Sequence, residues 1–289
     1  PASVNPMTTD PASSDASFSP EQLREIADAF HRDGFVHVPR VLDPDLVDEL
    51  KQKTDAFLDD PELATRRNEE LHDKQYAQAH KTASGESVPF ILRNTIELDP
   101  LFLRTLELAP LVELAESIVG PGSRFCGQNV LRNQPGIAIE NWHVDDALFY
   151  PVPDDVERHD PRIRLPVLWL TVQIALSDID DETQGPTQYV AGSHQSGRKP
   201  NPEGVPEFEG CGPTSIYCKS GDVYLHNPQC WHRGAPNSSD QVRYLMQCQY
   251  AVDWAFRRFG WMNRVPVPDD QLRTASDRLL AILGRRRPA

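Results

Sequence analysis

The stretch Asn141-Trp142-His143-Val144-Asp145-Asp146 places a histidine and an aspartate one residue apart. On a β-strand, side chains two positions apart point to the same face, so His143 and Asp145 could hold one metal ion together. A His-x-Asp pair occurs by chance in many chains, so the pair alone is a weak signal. A third ligand is needed, and the stretch Cys230-Trp231-His232-Arg233-Gly234 offers His232.

Two histidines and one carboxylate, with open coordination positions, are the ligand set of non-haem Fe(II) oxygenases. His232 has a local competitor in His226, six positions earlier. His226 lies on a strand expected to follow Gly221-Asp222, whereas His232 lies directly before the turn sequence Gly234-Ala235-Pro236-Asn237. The residues alone leave both histidines as candidates for the third ligand.

The composition is that of an acidic globular protein. The chain has 289 residues, of which 39% are hydrophobic and 25% charged, with a formal net charge of −14. Such a balance argues against nucleic acid as the main partner, because phosphate binding needs a basic surface. The acidity itself bears on solubility and does not identify a substrate.

The cysteines and the apolar runs bear on the compartment. The number of cysteines is odd, at five, and no C-x-x-C pair occurs. Reduced thiols are therefore the better interpretation than a disulfide framework or a zinc site. No apolar run approaches the roughly 20 residues of a membrane span, and the first residues lack the order of a signal peptide. We expect a cytoplasmic protein without a membrane partner.

Local signals predict helices first and strands afterwards. We expect residues 1–18 to be disordered and residues 19–289 to form a single domain. Ser19-Pro20-Glu21-Gln22 predicts a capped helix, with further helices from Asp43, over Asp99–Ile118 and over Asp269–Leu283. Many short strands between Gly/Pro turns favour a sandwich or barrel. The predicted fold is α+β but mainly β, a double-stranded β-helix (jelly roll, cupin-like) with N-terminal helices packed outside it.

The chain resembles the phytanoyl-CoA dioxygenase-type Fe(II)/2-oxoglutarate oxygenases over roughly residues 18–251. The order and spacing of short blocks carry the resemblance, since no single block is decisive. These blocks are Asp33-Gly34-Phe35-Val36, Gln134-Pro135-Gly136, Trp142-His143-Val144-Asp145, Ile174-Ala175-Leu176-Ser177-Asp178, Gly185-Pro186, Ala191-Gly192-Ser193-His194, Gly221-Asp222-Val223, His232-Arg233-Gly234-Ala235-Pro236-Asn237 and Arg243.

The resemblance implies Fe(II) as the metal, held by His143, Asp145 and His232, with 2-oxoglutarate and O2 as cosubstrates. The family places its ligand at the second of the two nearby histidines, which favours His232 over His226. It also places an arginine where Arg243 stands, 11 residues after His232. The planar fork of Arg suits a bidentate contact with the far carboxylate of 2-oxoglutarate.

Two weaker cosubstrate contacts follow from the resemblance. Gln128 matches a position that touches the cosubstrate in the family. Gln173 stands where many members have Trp, which puts that contact in doubt. Each could instead be an ordinary buried amide that is hydrogen bonded by the backbone.

The resemblance implies oxidation of an unactivated C–H bond of a small organic molecule, such as a secondary metabolite or acyl compound, with release of succinate and CO2. Related halogenases have Gly or Ala at the position of Asp145, so the carboxylate favours hydroxylation or another oxidation. We expect substrate contacts from residues 59–89, 149–165 and 254–261. The alternatives are a non-catalytic jelly-roll binding or sensing protein and a cupin-type metal-dependent isomerase or hydrolase. The sequence leaves monomer and homodimer open.

Overall fold

The computed structural model describes residues 18–65, 77–81 and 87–288. The predicted disorder of residues 1–18 falls, apart from Phe18, outside the described residues. The single domain expected for residues 19–289 stays a prediction. None of the helices in the described ranges is long and apolar enough to cross a bilayer.

The first helix, α1 (Pro20–Asp33), begins and ends as its sequence predicts. The Gln22 amide donates to Ser19 Oγ at 3.2 Å, and the Ser19 amide donates to Gln22 Oε1 at 2.8 Å, which completes the capping box. Gly34 ends the helix at φ +86°, in the left-handed region that side chains rarely adopt. A Cβ at Gly34 would also lie 2.6 Å from His194 Nδ1.

Two predicted helices are each divided in the structure. Asp99–Ile118 forms two helices, and Pro110 lies in the first turn of the second, where its missing N–H costs nothing. Asp269–Leu283 is also divided, because Ser276 caps a new helix through a bond from the Leu279 amide. The remaining helices are α2 (Pro44–Leu58), α3 (Pro61–Thr65), α4 (Pro100–Thr105), α5 (Ala109–Val119), α6 (Asp253–Arg258), α7 (Asp269–Thr274) and α8 (Asp277–Leu283).

The strands form two antiparallel sheets. The larger has the order β1-β8-β5-β10-β4-β3-β2 and the smaller the order β7-β6-β9. The strands are β1 (Phe35–Val38), β2 (Ala77–Lys81), β3 (Ser87–Arg93), β4 (Arg124–Asn133), β5 (Trp169–Ala175), β6 (Thr187–Val190), β7 (Pro213–Ile216), β8 (Val223–His226), β9 (His232–Gly234) and β10 (Arg243–Ala251).

Side-chain alternation gives the larger sheet two different faces. Val172, Leu225 and Cys248 belong to the main core with the helices, whereas Tyr224 and Leu245 pack with residues of the smaller sheet. Because successive residues of a strand point to opposite faces, the second set marks the surface between the two sheets. We call this surface the inward face. The architecture is the predicted jelly roll with helices outside it.

Candidate metal centre

The segment that carries the first two candidate ligands is not a regular strand. His143 forms a single bridge with His232, in which each backbone amide donates to the other's carbonyl at 3.0 Å. The Asp145 amide then donates to the Pro228 carbonyl at 2.9 Å, outside that bridge. The β-strand assumed for the His143–Asp145 pair is therefore not formed, although both ligands reach the same place.

The structure brings His143, Asp145 and His232 together. One potential ligand atom from each lies within 4.8 Å of the other two. Asp145 Oδ1 is 3.2 Å from His232 Nε2 and 3.8 Å from His143 Nε2. Ligand atoms at about 2.1 Å from one ion, at right angles, would lie roughly 3 Å apart. The cluster fits a single ion with small side-chain movements.

Backbone carbonyls fix the orientation of both candidate imidazoles. His143 Nδ1 lies 2.7 Å from the Asn141 carbonyl, and His232 Nδ1 lies 2.9 Å from the Cys230 carbonyl. A carbonyl oxygen only accepts, so each Nδ1 carries a proton, and each Nε2 is the ring nitrogen left for a metal ion. This arrangement is typical of metal-binding histidines, whose second nitrogen donates to a protein oxygen.

His226 has both ring nitrogens occupied by protein groups. Nε2 lies 2.8 Å from Asp145 Oδ2, so it donates to the carboxylate oxygen that does not face His232. Nδ1 lies 3.0 Å from the Tyr189 hydroxyl and 3.2 Å from Gln173 Nε2. His226 is fully buried, whereas the Asp145 and His143 side chains are 23% and 32% exposed. The geometry thus makes His226 a hydrogen-bond donor to Asp145 and leaves the accessible ligand atoms to the other residues.

Nearby charges and burial have opposing effects on the pKa values of the cluster. Burial alone would raise the pKa of Asp145, but the charge of His232 and the hydrogen bonds from His226 and His232 outweigh it and hold that pKa well below its usual range. Burial, with a smaller contribution from His232, lowers the pKa of His143 to about 4. Near neutral pH Asp145 is therefore ionised and His143 is uncharged, which are the forms that bind a metal.

Arg243 lies at the start of β10 with its guanidinium on the inward face. It is 6% exposed, and Nη2 donates to Thr187 Oγ1 at 2.7 Å. The Tyr224 hydroxyl lies 2.9 Å from the same Thr187 oxygen. Among the described residues no carboxylate forms an ion pair with Arg243. A buried cation is costly without an anionic partner, so this pocket suits the carboxylate of a ligand.

The route from Arg243 to the metal cluster runs along β9. His232 and Gly234 lie two positions apart on that strand, and a Cβ at Gly234 would lie 3.5 Å from Arg243 Nη1. The guanidinium therefore approaches β9 on the face that also presents His232. Arg233 points elsewhere, since it donates to Gln188 Oε1 and stacks over Trp142.

The two glutamines predicted to contact the cosubstrate lie in different places. Gln173 is on the inward face, where its Nε2 lies 3.1 Å from the Tyr189 hydroxyl and close to His226. Gln128 pairs with Cys248 and faces the helices. Its Nε2 donates to the Phe102 carbonyl at 3.0 Å, and its Oε1 accepts from Thr95.

The prediction for Gln128 is therefore corrected by the structure, which does not bring this residue to the ligands. The physical reason is strand parity, because a shift of one residue reverses the face of a side chain. Asn129, the next residue, is the one that faces inward on β4.

Sequence reasoning missed several residues that support the site. Tyr189 and Thr187 lie on β6 and hold His226 and Arg243. Gln229 accepts from the Phe149 amide and donates to the Ala147 carbonyl, which fixes the chain just after Asp145. Alternation along Thr187-Gln188-Tyr189 places the first and third residues on one face, but only the pairing of β6 with β9 shows which face that is.

The donor set and the buried arginine fit a non-haem Fe(II) centre with a carboxylate cosubstrate. A model of the phytanoyl-CoA dioxygenase (PhyH) family matches residues 30–245, more than half of the chain. The protein therefore belongs to the phytanoyl-CoA dioxygenase family.

Solved structures share the fold. The epimerase SnoN from nogalamycin biosynthesis is 22% identical, with a TM-score of 0.58 over 81% of this chain and 84% of its own. EctD from S. alaskensis, with bound Fe, is 21% identical, with a TM-score of 0.58 over 86% and 82%. HygX from Streptomyces hygroscopicus, with nickel and 2-oxoglutarate bound, is 18% identical, with a TM-score of 0.54 over 83% and 89%.

Family membership confirms the predicted class of enzyme, an Fe(II)/2-oxoglutarate-dependent oxygenase, together with its cofactor set of Fe(II), 2-oxoglutarate and O2.

Proposed function

We propose that the protein oxidises an unactivated C–H bond of a small organic molecule, by hydroxylation in the first instance. His143, Asp145 and His232 hold Fe(II), and Arg243 holds the far carboxylate of 2-oxoglutarate. The observation that carries the proposal is the combination of a three-ligand cluster, exposed on one side, with a buried arginine that no carboxylate of the described residues neutralises.

The ligands set the charge of the centre. Two neutral imidazoles and one carboxylate leave an Fe(II) ion with a net positive charge, which favours an anionic chelator. With 2-oxoglutarate and O2, the iron supplies the oxidising power for attack on a C–H bond. His226 keeps one oxygen of Asp145 occupied, so the carboxylate presents its other oxygen to the metal side.

Arg243 orients the cosubstrate by its position as well as its charge. The contact with Thr187 Oγ1 fixes the guanidinium plane, and burial strengthens its attraction for a carboxylate. The carbon chain of a bound 2-oxoglutarate would lie along the inward face between Arg243 and the cluster.

The family resemblance implies a direct contact between Gln173 and the cosubstrate, but the contacts of Gln173 favour an indirect role. Its amide nitrogen lies against Tyr189 and His226, so a direct contact with the cosubstrate would compete with those two partners. We therefore propose that Gln173 positions His226, which in turn positions Asp145.

The carboxylate of Asp145 also supports oxidation over halogenation, since it fills the coordination position that a halide would need. Hydroxylation, epimerisation and ring closure remain distinguishable by the product, and one of the similar structures is an epimerase. A hydroxylated product gains one oxygen atom, an epimer keeps its mass, and ring closure or desaturation removes two hydrogens. Mass spectrometry of the product of any turned-over substrate therefore decides the reaction type.

Succinate release from 2-oxoglutarate tests the proposal before a substrate is known. We expect slow, iron-dependent release that is lost in the variant His232→Ala and retained in part in His226→Ala. A protein that binds iron and 2-oxoglutarate but releases no succinate with a broad substrate panel would be a binding or sensing protein. Turnover of a substrate without 2-oxoglutarate would instead support an isomerase or hydrolase.

A further inference from the structure

The inward face of β5 carries three polar atoms that lack partners. Trp169, Thr171 and Gln173 alternate on this face, and each is buried, with at most 2% exposure. Trp169 Nε1, Thr171 Oγ1 and Gln173 Oε1 have no hydrogen-bond partner among the described residues. Buried polar groups are nearly always hydrogen bonded, because leaving one unpaired is costly. Three such atoms in a row on one strand face indicate a surface that pairs with something other than the protein.

This row lies beside the metal cluster. Thr171 is the register partner of His226, and Gln173 is the register partner of Tyr224. Neighbouring strands are about 4.8 Å apart, so Thr171 lies one strand from the histidine that holds Asp145. A molecule bound over Thr171 would therefore lie next to the exposed side of His143 and Asp145.

The neighbouring strand continues the polar surface. Gln247 on β10 is the register partner of Gln173, and Gln249 is that of Thr171. Both glutamines are half-buried, and neither side chain forms a hydrogen bond with another described residue. Gln249 lies across Gly127 on β4, where a Cβ would overlap its Oε1. Five neutral side chains thus form one patch, which we call the amide patch: Trp169, Thr171, Gln173, Gln247 and Gln249.

Aromatic side chains border the amide patch at the end that is remote from Arg243. Trp169 meets Trp261 edge-on, with ring centroids 5.9 Å apart, and Trp261 is 37% exposed. Phe149, four residues after Asp145, packs against the same cluster as Trp169. The border gives an apolar surface next to a polar one.

We propose that the amide patch is the substrate subsite and that it takes a neutral, hydroxyl-rich ring compound of the sugar or glycoside class. This proposal rests on the proposed function and names the substrate class of that site. Carboxamides and hydroxyls each donate and accept, which matches the dual character of sugar hydroxyls. The patch carries no charge, so it offers nothing to a phosphate or carboxylate, whereas the aromatic border suits the apolar face of a sugar ring.

The subsite accounts for the partnerless atoms. A ligand hydroxyl over β5 would pair with Thr171 Oγ1 and Gln173 Oε1, and a second would reach Gln247. Trp169 Nε1, Thr171 Oγ1 and Gln173 Oε1 are all covered by neighbouring groups, so access by a ligand requires rotamer changes. The long side chains of Gln247 and Gln249 allow those changes.

Saturation-transfer NMR on the intact protein, with Fe(II) replaced by diamagnetic Zn(II) and 2-oxoglutarate added, tests the proposal. The probes are methyl glycosides of mono- and disaccharides, with alkanols and alkanoates of similar size as comparison compounds. We expect transfer to glycosides, and a roughly tenfold weaker affinity in Gln247→Leu and in Thr171→Val. The matched control Gln271→Leu, on α7, should bind glycosides as the wild type does.

Thermal unfolding gives a second test, for which a merely structural role of Thr171 predicts a different result. Thr171→Val removes a hydroxyl that has no partner, so the variant should unfold at a higher temperature while it binds glycosides less tightly. Thr54→Val, which removes a hydroxyl bonded to the Leu50 carbonyl at 2.8 Å, should not be stabilised. Preference of the wild type for alkanoates or alkanols, or unchanged glycoside binding in Gln247→Leu, would overturn the proposal. Failure of the proposed function is distinguishable from failure of the subsite proposal, because wild-type protein would then release no succinate in the presence of iron.

Discussion

Replacing His226 by alanine should weaken Fe(II) binding without abolishing it. His226 is fully buried and donates to Asp145 Oδ2 at 2.8 Å, but its Nε2 is occupied by that bond. A hydrogen bond to a charged group contributes about 1.5–3 kcal/mol. Loss of a group that orients a metal ligand typically lowers metal affinity by roughly 10- to 100-fold. This range corresponds to about 1.4–2.7 kcal/mol, so the two magnitudes agree.

The affinity is best measured by anaerobic titration of Fe(II) against a competing chelator, with Mn(II) as a redox-stable check. His226→Gln keeps an amide donor and should recover part of the loss, whereas His37→Ala, whose histidine contacts Asp222, should bind iron normally. Thermal unfolding of each variant separates loss of metal affinity from loss of fold. Unchanged affinity in His226→Ala would refute the positioning role. Loss of all binding in His226→Ala, with binding retained in His232→Ala, would show that the ligand assignment is wrong.

Four further changes have definite expected outcomes. Arg243→Ala should raise the dissociation constant for 2-oxoglutarate by a factor that corresponds to about 2–5 kcal/mol, as measured by calorimetry with Mn(II). Thr187→Val should raise it by less. Equal affinities of the wild type and Arg243→Ala would show that Arg243 does not anchor the cosubstrate. Gln128→Leu should lower thermal stability, because the buried partners of Gln128 lose their hydrogen bonds. The concentration of 2-oxoglutarate that succinate release requires should not change. A raised requirement would contradict the placement of Gln128 on the helix side of the sheet. Gly34→Ala should lower the unfolding temperature, because φ +86° and the contact with His194 both disfavour a side chain; an unchanged temperature would contradict the strained cap.

Features that depend on local chemistry could be predicted from the sequence. The Ser19 capping box, the helix stop at Gly34 and the strand at Phe35 follow from side-chain hydrogen bonding and backbone preference within a few residues. The candidate ligands His143 and Asp145 could be found because their spacing is local. The choice of His232 depended on the family resemblance.

Features that depend on register between distant strands could not be predicted in the same way. Gln128 and Asn129 are both plausible polar residues on one strand, and only the pairing with β10 decides which of them faces inward. The partners of Arg243 and His226 come from β6, and their contacts exist only after the two sheets face each other. The division of the helix before Ser276 was missed because its cap competes with an otherwise continuous apolar periodicity.

The most direct test of the account is anaerobic addition of 2-oxoglutarate to the protein loaded with one equivalent of Fe(II). A chelated 2-oxo acid on Fe(II) gives a visible charge-transfer absorption, which reports metal, cosubstrate and their contact in one spectrum. We predict that this band develops with one 2-oxoglutarate per iron in the wild type and is absent from the variant His232→Ala. A wild-type protein that binds iron but gives no band, or a band that persists unchanged in His232→Ala, would contradict the proposed centre.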